Sequence, residues 1–362
     1  MKILVTGSAG FIGFHLTMAL LKEGHKVIGI DNINECYDVT LKFRRLYECG
    51  IEKREIFWFK EARSHKYLNY IFIRLNLEDK SELIDVCERH NPDVFINLAA
   101  QAGVRHSINH PDSYVQSNMV GFLNVLESCR VIKAKHLIYA SSSSVYGLNA
   151  EVPFSVKHST NHPASLYAAT KKANELMAHA YSHLYKIPTT GLRFFTVYGP
   201  WGRPDMACFL FADAILSNKP IQVFNNGKMK RDFTYIDDTV SAILKIISSP
   251  PAQSKVNWNA NQPDPSTSTA PYRLYNIGNN SPVELLVFIK ELEKAIDGKA
   301  ILKMKGMQAG DVMTTWANVE DLADNFNYSP ETDLQVGLEK FIKWYKEYYG
   351  MKYVSNVRIQ SA

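Results

Sequence analysis

The sequence predicts an α/β protein built on a doubly wound parallel sheet. Between residues 2 and 142, short runs of mostly apolar residues alternate with segments whose apolar residues recur at helical spacing. The apolar runs are continuous, which is typical of strands that are buried on both faces. A glycine-rich turn, GSAGFIG, separates the first strand from the first helix. We therefore expect a parallel sheet covered by helices on both sides.

The predicted elements follow one another as repeated strand–helix–strand units. The predicted strands are KILVTG (2–7), KVIGIDN (26–32), YIFIRLNL (70–77), DVFINLAA (93–100) and HLIYASS (136–142). The predicted helices are FIGFHLTMALLKEGH (11–25), KSELIDVCERHN (80–91), VQSNMVGFLNVLESCRVI (115–132) and SLYAATKKANELMAHAYSHLY (165–185).

The pattern becomes less regular after residue 192. Residues 193–205 are rich in glycine and proline, and residues 250–271 are polar and proline-rich, which is typical of loops. We predict a sheet domain over residues 1–192, to which the chain returns around 233–248. A smaller C-terminal α/β domain is expected over mainly 193–350, followed by a tail over 351–362 without clear periodicity.

Composition and charge argue against several classes of protein. The net charge is +5 and the pI is near 8.7, but the basic residues are scattered, so we expect no nucleic-acid partner. Five widely spaced cysteines without a Cys-x-x-Cys pair predict neither disulfides nor a metal site. No apolar run is long enough to span a membrane and no signal peptide is recognisable. We expect a cytoplasmic protein without a membrane partner.

The glycine turn predicts a dinucleotide site. Gly7, Gly10 and Gly13 follow a strand and open a helix, where glycines permit a tight turn and a close approach to a pyrophosphate. Asp31 ends the second strand, 18 residues after Gly13, where its carboxylate can bind both ribose hydroxyls. That carboxylate would repel a 2′-phosphate, and no arginine directly follows it. The turn therefore predicts a Rossmann-type domain that binds NAD rather than NADP.

A tyrosine and a lysine in the last predicted helix are candidates for acid–base chemistry. Tyr167 and Lys171 are four residues apart and so lie on one helix face, where the ammonium group can lower the phenol pKa. A second Tyr-x-x-x-Lys pair, Tyr348 and Lys352, lies far along the chain from the glycine turn, and we interpret it as a surface helix end.

Four consecutive serines follow the strand at 136–142. Their place at the carboxyl end of a parallel strand, where such sheets bind ligands, argues against a flexible linker. Ser142 is the candidate for proton relay, Ser143 and Ser144 for substrate contact, and Ser141 for packing.

Several stretches resemble those of a known enzyme family. The glycine turn, NLAA, SSSSVYG and YAATK in this order, with RDFTYIDD (231–238) and YNIGNNSPVEL (275–285), resemble extended short-chain dehydrogenase/reductases, specifically nucleotide-sugar epimerases. DNINECYDVTLKFRRL, AAQAGVRHSI and RFFTVYGPWGRPDMA closely resemble UDP-glucuronate 4-epimerases. The similarity covers nearly the whole chain.

The resemblance implies reversible conversion of UDP-glucuronate to UDP-galacturonate through a 4-keto sugar, with tightly bound NAD and a role in polysaccharide biosynthesis. Tyr167 is then the base for the sugar 4-hydroxyl, Lys171 holds the nicotinamide ribose, and Ser142 hydrogen-bonds the 4-oxygen. The implied cofactor-binding residues are Gly7, Gly10, Phe11, Ile12, Gly13, Asp31, Asn32, Asn76, Leu77, Leu98, Ala99, Ala100, Tyr167 and Lys171. The candidate substrate-binding residues are Ser142, Ser143, Ser144, Tyr167, Thr196, Arg203, Arg231, Gln308 and Asp311.

Three alternatives remain open. The first alternative is a 4-epimerase that acts on UDP-glucose or UDP-N-acetylglucosamine. The second is a UDP-glucuronate decarboxylase, which is disfavoured because Ser143 and Ser144 replace the acids typical of such enzymes. A non-catalytic NAD-binding sensor is disfavoured because Tyr167 and Lys171 are both retained.

The sequence departs from the family pattern at two positions. Asn97 replaces a common histidine, and Asn76 opens NLED where Asp-x-x-Asp is usual, which changes the side chain expected to contact adenine. Arg105 and Arg203 have an alternative role as ion-pair partners of Asp112 and Asp205. The resemblance also implies a homodimer formed through helices that include 115–132 and 166–185.

Overall fold

The computed structural model describes residues 1–253, 258–308 and 311–360, with side chains described up to residue 350. The strands of these residues are β1 Lys2–Thr6, β2 Lys26–Asp31, β3 Glu61–Arg63, β4 Tyr70–Arg74, β5 Val94–Asn97, β6 His136–Ser142, β7 Thr189–Phe194, β8 Thr196–Tyr198, β9 Pro220–Val223, β10 Lys230–Tyr235, β11 Tyr272–Ile277, β12 Pro282–Glu284 and β13 Ile301–Met304. The α-helices are α1 Phe11–Lys22, α2 Val39–Glu48, α3 Lys80–His90, α4 His106–Asn109, α5 Pro111–Tyr114, α6 Gly121–Val131, α7 Leu166–Tyr185, α8 Ala207–Leu216, α9 Ile236–Ile247, α10 Leu285–Ile296, α11 Glu320–Phe326 and α12 Leu334–Gln360.

A large, mostly parallel sheet forms the centre of the structure. Its strand order is β11-β7-β6-β5-β1-β2-β4-β3, and only the edge strand β3 runs antiparallel to its neighbour. The chain moves outward from β1 to β2 on one side and to β5 on the other, so a crevice opens where β1 and β5 end. The predicted Rossmann-type α/β class is thereby confirmed.

The core lies on both faces of this sheet because successive strand residues point to opposite sides. In β1, Ile3 and Val5 belong to the cluster that includes α1 and α9. Leu4 belongs to the opposite cluster, where Leu83 of α3 and Phe122 of α6 cover the sheet. The continuous apolar strands therefore follow from burial on both faces.

The second half of the chain contributes to both regions of the protein. β11 pairs with β7 and completes the large sheet, and α9 lies against α1. β8, β10 and β12 form a separate three-stranded sheet, and β9 pairs with β13. The interpretation of residues 193–205 as loop is wrong at its start, because β7 extends through Phe194 and β8 follows at once. The division at residue 192 stays a prediction.

The C-terminal segment differs from the expected irregular tail. Residues 351–360 continue α12 to Gln360, while residues 361 and 362 lie outside the described part of the chain. Within the described residues, no helix combines the length and the apolar character needed to cross a membrane. The predicted cytoplasmic location stays a prediction.

Candidate active site

The glycine turn after β1 is packed too tightly for side chains. Gly7 has φ +69°, and the Gly10 amide donates a hydrogen bond to the Gly7 carbonyl oxygen at 2.9 Å. A Cβ atom at Gly13 would lie 2.1 Å from that same oxygen, and one at Gly7 would lie 2.8 Å from the Ala99 nitrogen. The glycines thus let α1 begin directly behind the turn, with its free N–H groups directed toward the crevice. Phe11 and Ile12, also predicted to bind the cofactor, form the first residues of this helix.

Asp31 ends β2 beside this turn. Its carboxylate accepts hydrogen bonds from the Ala9 amide at 3.2 Å and the Ile33 amide at 2.7 Å. The Lys42 ammonium lies 3.5 Å from the same carboxylate and also donates to Asn34. The carboxylate is therefore held in one orientation at the strand end, as the predicted ribose contact requires.

The remaining predicted cofactor residues flank the crevice. On the β2 side, Asn32 Nδ2 donates to Asn76 Oδ1 at 3.1 Å, and Leu77 is buried. Asn76 also donates to Asp79 at 3.1 Å, so its amide is held by two protein partners.

Residues 98–100 follow β5, on the other side of the crevice. The Ala99 amide donates to the Thr6 hydroxyl at 3.2 Å, and that hydroxyl donates to Asn97 Oδ1 at 2.7 Å. The Leu98 amide donates to the carbonyl oxygen of Thr6 at 3.3 Å, which brings residues 98–100 beside the glycine turn.

Tyr167 and Lys171 share one face of α7, whose first turn is capped by the Ser165 hydroxyl. Lys171 Nζ donates to the carbonyl oxygen of Ala140 at 2.8 Å, and burial lowers its pKa to about 8. Burial raises the pKa of Tyr167 above its usual value, and the nearby Ser142 hydroxyl and the positive charge of Arg203 offset only part of this rise. From the sequence, Lys171 was expected to lower the Tyr167 pKa.

The four serines have unequal environments. Ser142 is buried, and its hydroxyl accepts a hydrogen bond from the Ser144 amide at 3.2 Å in addition to its contact with Tyr167. Ser143 and Ser144 are partly exposed and open a 3₁₀ turn at the strand end. Ser141 is buried and donates to Glu175 at 2.7 Å.

A buried ion pair beneath the active site is absent from the sequence-based predictions. Glu175 accepts two hydrogen bonds from Arg193, at 2.8 and 2.9 Å, and both side chains are almost fully buried. Burial raises the pKa of Glu175, but the charge and hydrogen bonds of Arg193, together with Lys172 and Ser141, outweigh burial and leave the pKa below its usual range. The pair joins α7 to β7, while Ser141 joins it to β6. Arginine within the apolar strand TTGLRF is the signal that could have revealed it.

Arg203 has two neighbours of functional interest. It forms a bidentate pair with Asp205, at 3.0 and 2.5 Å, which is the ion pair considered as an alternative. Its guanidinium group is also close enough to Tyr167 for its charge to act on the phenol. Thr196 begins β8 and is partly exposed.

Arg231 and Asp311, predicted to bind the diphosphate and the uridine ribose, lie near another arginine, Arg105. Arg105 pairs with Asp311 at 2.9 Å, so the alternative pairing with Asp112 is wrong. Arg231 donates to the carbonyl oxygens of Lys230 and Met313, and burial lowers its pKa. The Asp311 amide donates to the carbonyl oxygen of Gln308 at 3.3 Å, and residues 309 and 310 between them lie outside the described part of the chain.

Asn118, which the sequence analysis did not single out, lies in a π-helical turn over Val115–Val120. Its side chain accepts from the Gln101 amide at 2.8 Å and donates to Thr170 at 3.1 Å. Such turns are frequent at functional sites, but no sequence pattern predicts them reliably.

The second Tyr-x-x-x-Lys pair is far less informative. The Tyr348 ring packs against Trp344 and Trp201, and the Lys352 side chain lies outside the described residues. Among the described residues, no group of three or more His, Cys, Asp and Glu side chains could hold a metal ion.

Comparison with known proteins gives this arrangement a family. The chain matches the NAD dependent epimerase/dehydratase family over residues 3–261, and it belongs to that family, within the extended short-chain dehydrogenase/reductases. It is an NAD-dependent nucleotide-sugar epimerase.

Individual relatives are similar over almost the whole chain. Protein CapI of Staphylococcus aureus is 52% identical over 96% of this chain and 99% of its own length. A probable UDP-glucuronate 4-epimerase of Rhizobium meliloti is 44% identical over 96% and 98%. The crystal structure of a Bacillus cereus UDP-glucuronic acid 4-epimerase with UDP-glucuronic acid and NAD has a TM-score of 0.79 and 32% identity, over 96% of this chain and 100% of that one.

NAD is the cofactor, and the residues present fit it. The glycine turn leaves a cradle that a Cβ at Gly7 or Gly13 would disturb, and the start of α1 supplies N–H groups for a diphosphate. Asp31 would hold the adenosine ribose, and its charge disfavours a 2′-phosphate. Lys171 is the group available for the nicotinamide ribose.

Proposed function

We propose that the protein catalyses reversible 4-epimerisation of UDP-glucuronate to UDP-galacturonate. The observation that carries the proposal is Arg203, which is paired with Asp205, is one-quarter exposed, and is close enough to Tyr167 for its positive charge to act on the phenol. A guanidinium matches a carboxylate bidentately, so this site favours a uronate over a neutral sugar. The similarity to UDP-glucuronate 4-epimerases supports the same choice.

The chain's own residues manage the proton of the 4-hydroxyl. Bound NAD would supply the acceptor and donor of hydride for C4 of the sugar. Tyr167 accepts the hydroxyl proton, and Ser142, whose hydroxyl lies near the phenol, orients the 4-oxygen. Arg203 favours the phenolate because its positive charge lowers the phenol pKa. After the ring turns over, Tyr167 returns the proton to the 4-oxygen.

A 4-keto uronate loses carbon dioxide readily, so an epimerase must control the carboxylate. Nε and Nη2 of Arg203 already bind Asp205, so a substrate carboxylate would be held by the remaining N–H groups at Nη1 and Nη2, with the hydroxyls of Ser143, Ser144 and Thr196 around it. This arrangement would keep the carboxyl bond away from the orientation in which it overlaps the ketone π system. The same hydroxyls offer no carboxylic acid for elimination of water.

The nucleotide end would be bound by residues around Arg231, whose pKa responds to the charges of Asp311 and Arg105. Arg231, whose charge burial disfavours, gains most from an anionic diphosphate. Arg105 already pairs with Asp311, and the Asp311 amide is hydrogen-bonded to the carbonyl oxygen of Gln308. We assign the diphosphate to Arg231 and the uridine ribose to Gln308 and Asp311.

The test is to incubate the NAD-loaded protein with UDP-glucuronate, UDP-glucose or UDP-N-acetylglucosamine and to separate the nucleotide sugars. We expect a mixture of UDP-glucuronate and UDP-galacturonate, reached from either side. A UDP-pentose as the main product would indicate a decarboxylase, and faster conversion of a neutral sugar would indicate the neutral-sugar epimerase. The control is Tyr167→Phe, which should retain NAD and lose turnover.

We also propose that two chains associate through α6 and α7. Leu176 and Leu184 of α7 are 61% and 64% exposed. Val120, which directly precedes α6, and Leu123, in its first turn, are each 40% exposed. An exposed apolar surface of this kind is typical of a protein interface. Sedimentation or light scattering should give a dimer mass, and Leu176→Arg with Leu184→Arg should give a monomer. A wild-type monomer at micromolar concentration would contradict this proposal.

A further inference from the structure

Arg45 of α2 is a fully buried arginine that connects the cofactor turn to the loop before Arg203. One of its terminal nitrogens donates to the Ala9 carbonyl oxygen at 2.9 Å and to the Tyr37 hydroxyl at 2.8 Å. The other donates to the carbonyl oxygen of Trp201 at 2.6 Å and, more weakly, to that of Gly202 at 3.3 Å. Ala9 lies inside the glycine turn, so a single guanidinium group spans both elements.

The loop that Arg45 holds has a strained backbone. Trp201 has φ +60°, a left-handed conformation that is unfavourable for a bulky residue and persists only where its surroundings enforce it. The Gly202 amide closes the turn on the Gly199 carbonyl oxygen at 3.1 Å. The Trp201 ring packs against Phe14 of α1 with centroids 5.5 Å apart. The next residue after this turn is Arg203.

A second contact holds the same turn from α1. His15 Nε2 donates to the Pro200 carbonyl oxygen at 2.9 Å. Carbonyl groups of three successive residues, 200 to 202, are thus fixed by side chains of the dinucleotide-binding half. Removal of Arg45 would leave four hydrogen-bond acceptors without their donor, which is unfavourable for buried groups. A loop that only covers the surface would not need a buried arginine of this kind. Arg203, whose charge acts on the Tyr167 phenol, directly follows this turn.

We infer that Arg45 is a positioning residue that fixes Arg203 toward the sugar carboxylate and, through Ala9, ties that placement to the cofactor turn. The inference rests on the proposed function, because it assumes that Arg203 contacts a uronate. The four hydrogen-bond acceptors of Arg45 are all protein atoms. Its effect should therefore fall on discrimination between a uronate and a neutral sugar.

The experiment measures the affinity of NAD-loaded protein for UDP-glucuronate and for UDP-glucose by calorimetry. Arg45→Lys keeps the charge but cannot reach all four acceptors. We expect it to lower the preference for UDP-glucuronate by about tenfold or more, the effect of weakening a charge-assisted contact, with UDP-glucose affinity nearly unchanged. Arg44→Lys, on the exposed face of the same helix, is the matched control and should change neither affinity.

A double-mutant cycle tests whether Arg45 acts through Arg203. In an Arg203→Gln background, Arg45→Lys should cause no further loss of preference. Equal weakening of both ligands would mean a merely structural role and would overturn the inference. If Arg45→Lys does not fold, His15→Gln loosens the same turn and should lower the preference less strongly, and an unchanged preference there would overturn the inference. A wild-type protein without preference for UDP-glucuronate would instead contradict the proposed function, and the inference with it.

Discussion

The buried pair of Glu175 and Arg193 provides a sharp test of how α7 is anchored. Glu175→Gln removes one charge and leaves Arg193, which is 0% exposed, without a counter-charge. Breaking a buried pair in this way costs about 3–5 kcal/mol, because the remaining charge stays desolvated. Ser141 also loses its charged acceptor, which loosens the contact between α7 and β6.

The expected change in melting temperature follows from the size of the chain. At about 2.1 cal/mol/K per residue, 362 residues give an unfolding entropy of about 0.8 kcal/mol/K near the transition midpoint. A loss of about 3–5 kcal/mol then lowers the melting temperature by about 4–7 °C. Calorimetry at pH 7 with saturating NAD measures it, so that differences in cofactor loading do not contribute.

Two further variants make the result interpretable. Lys172→Met removes the partly exposed cation 3.3 Å from Glu175 and should cost less than about 1 kcal/mol. Replacing both members of the pair, with Glu175→Leu and Arg193→Met, should recover part of the loss because no charge stays buried. A Glu175→Gln protein that melts at the wild-type temperature would refute the assignment of this pair as the anchor of α7.

The remaining predictions concern the cofactor site and pH. Gly13→Ala places a Cβ 2.1 Å from the Gly7 oxygen, so the purified protein should lose bound NAD. The ratio of absorbance at 260 nm to that at 280 nm measures the bound NAD. The control Gly350→Ala, whose Cβ meets no neighbour, should retain NAD. Asp31→Ser removes the charge that repels a 2′-phosphate and frees Lys42. The preference for NAD over NADP should therefore fall by about tenfold or more in binding titrations. An unchanged ratio of NAD to NADP affinity would count against this role of Asp31. Burial lowers the pKa of His136 from 6.5 to about 4, so the unfolded chain binds the proton first as pH falls, and stability is lost below pH 6.5. Between pH 7 and 5 this single group should cost about 2 kcal/mol, so the melting temperature of His136→Gln should fall by about 3 °C less than that of the wild type over this range.

The features that local sequence determines were predicted well. The glycine turn and its helix follow from residue types within one strand–turn–helix unit, and so does the shared face of Tyr167 and Lys171. The strands β1, β2, β5 and β6 are recognisable because burial on both faces requires continuous apolar runs.

Features that depend on distant parts of the chain were not predictable in the same way. β11 joins β7 only after the long excursion between them, and nothing in Tyr272–Ile277 identifies its neighbour. The acceptor of Lys171 is a backbone carbonyl on β6, which has no sequence signature. Arg105 found Asp311, 206 residues away, rather than the nearby Asp112, because the two loops meet only in the folded protein.

The most direct test of the account follows the hydrogen at C4 of the sugar. UDP-glucuronate labelled with deuterium at C4 is incubated with the NAD-loaded protein in ordinary water, and the UDP-galacturonate formed is analysed by mass spectrometry and NMR. The account predicts that the product retains deuterium at C4, because hydride leaves and returns to the same carbon while Tyr167 exchanges only the hydroxyl proton. A product whose C4 carries hydrogen from the solvent would contradict it.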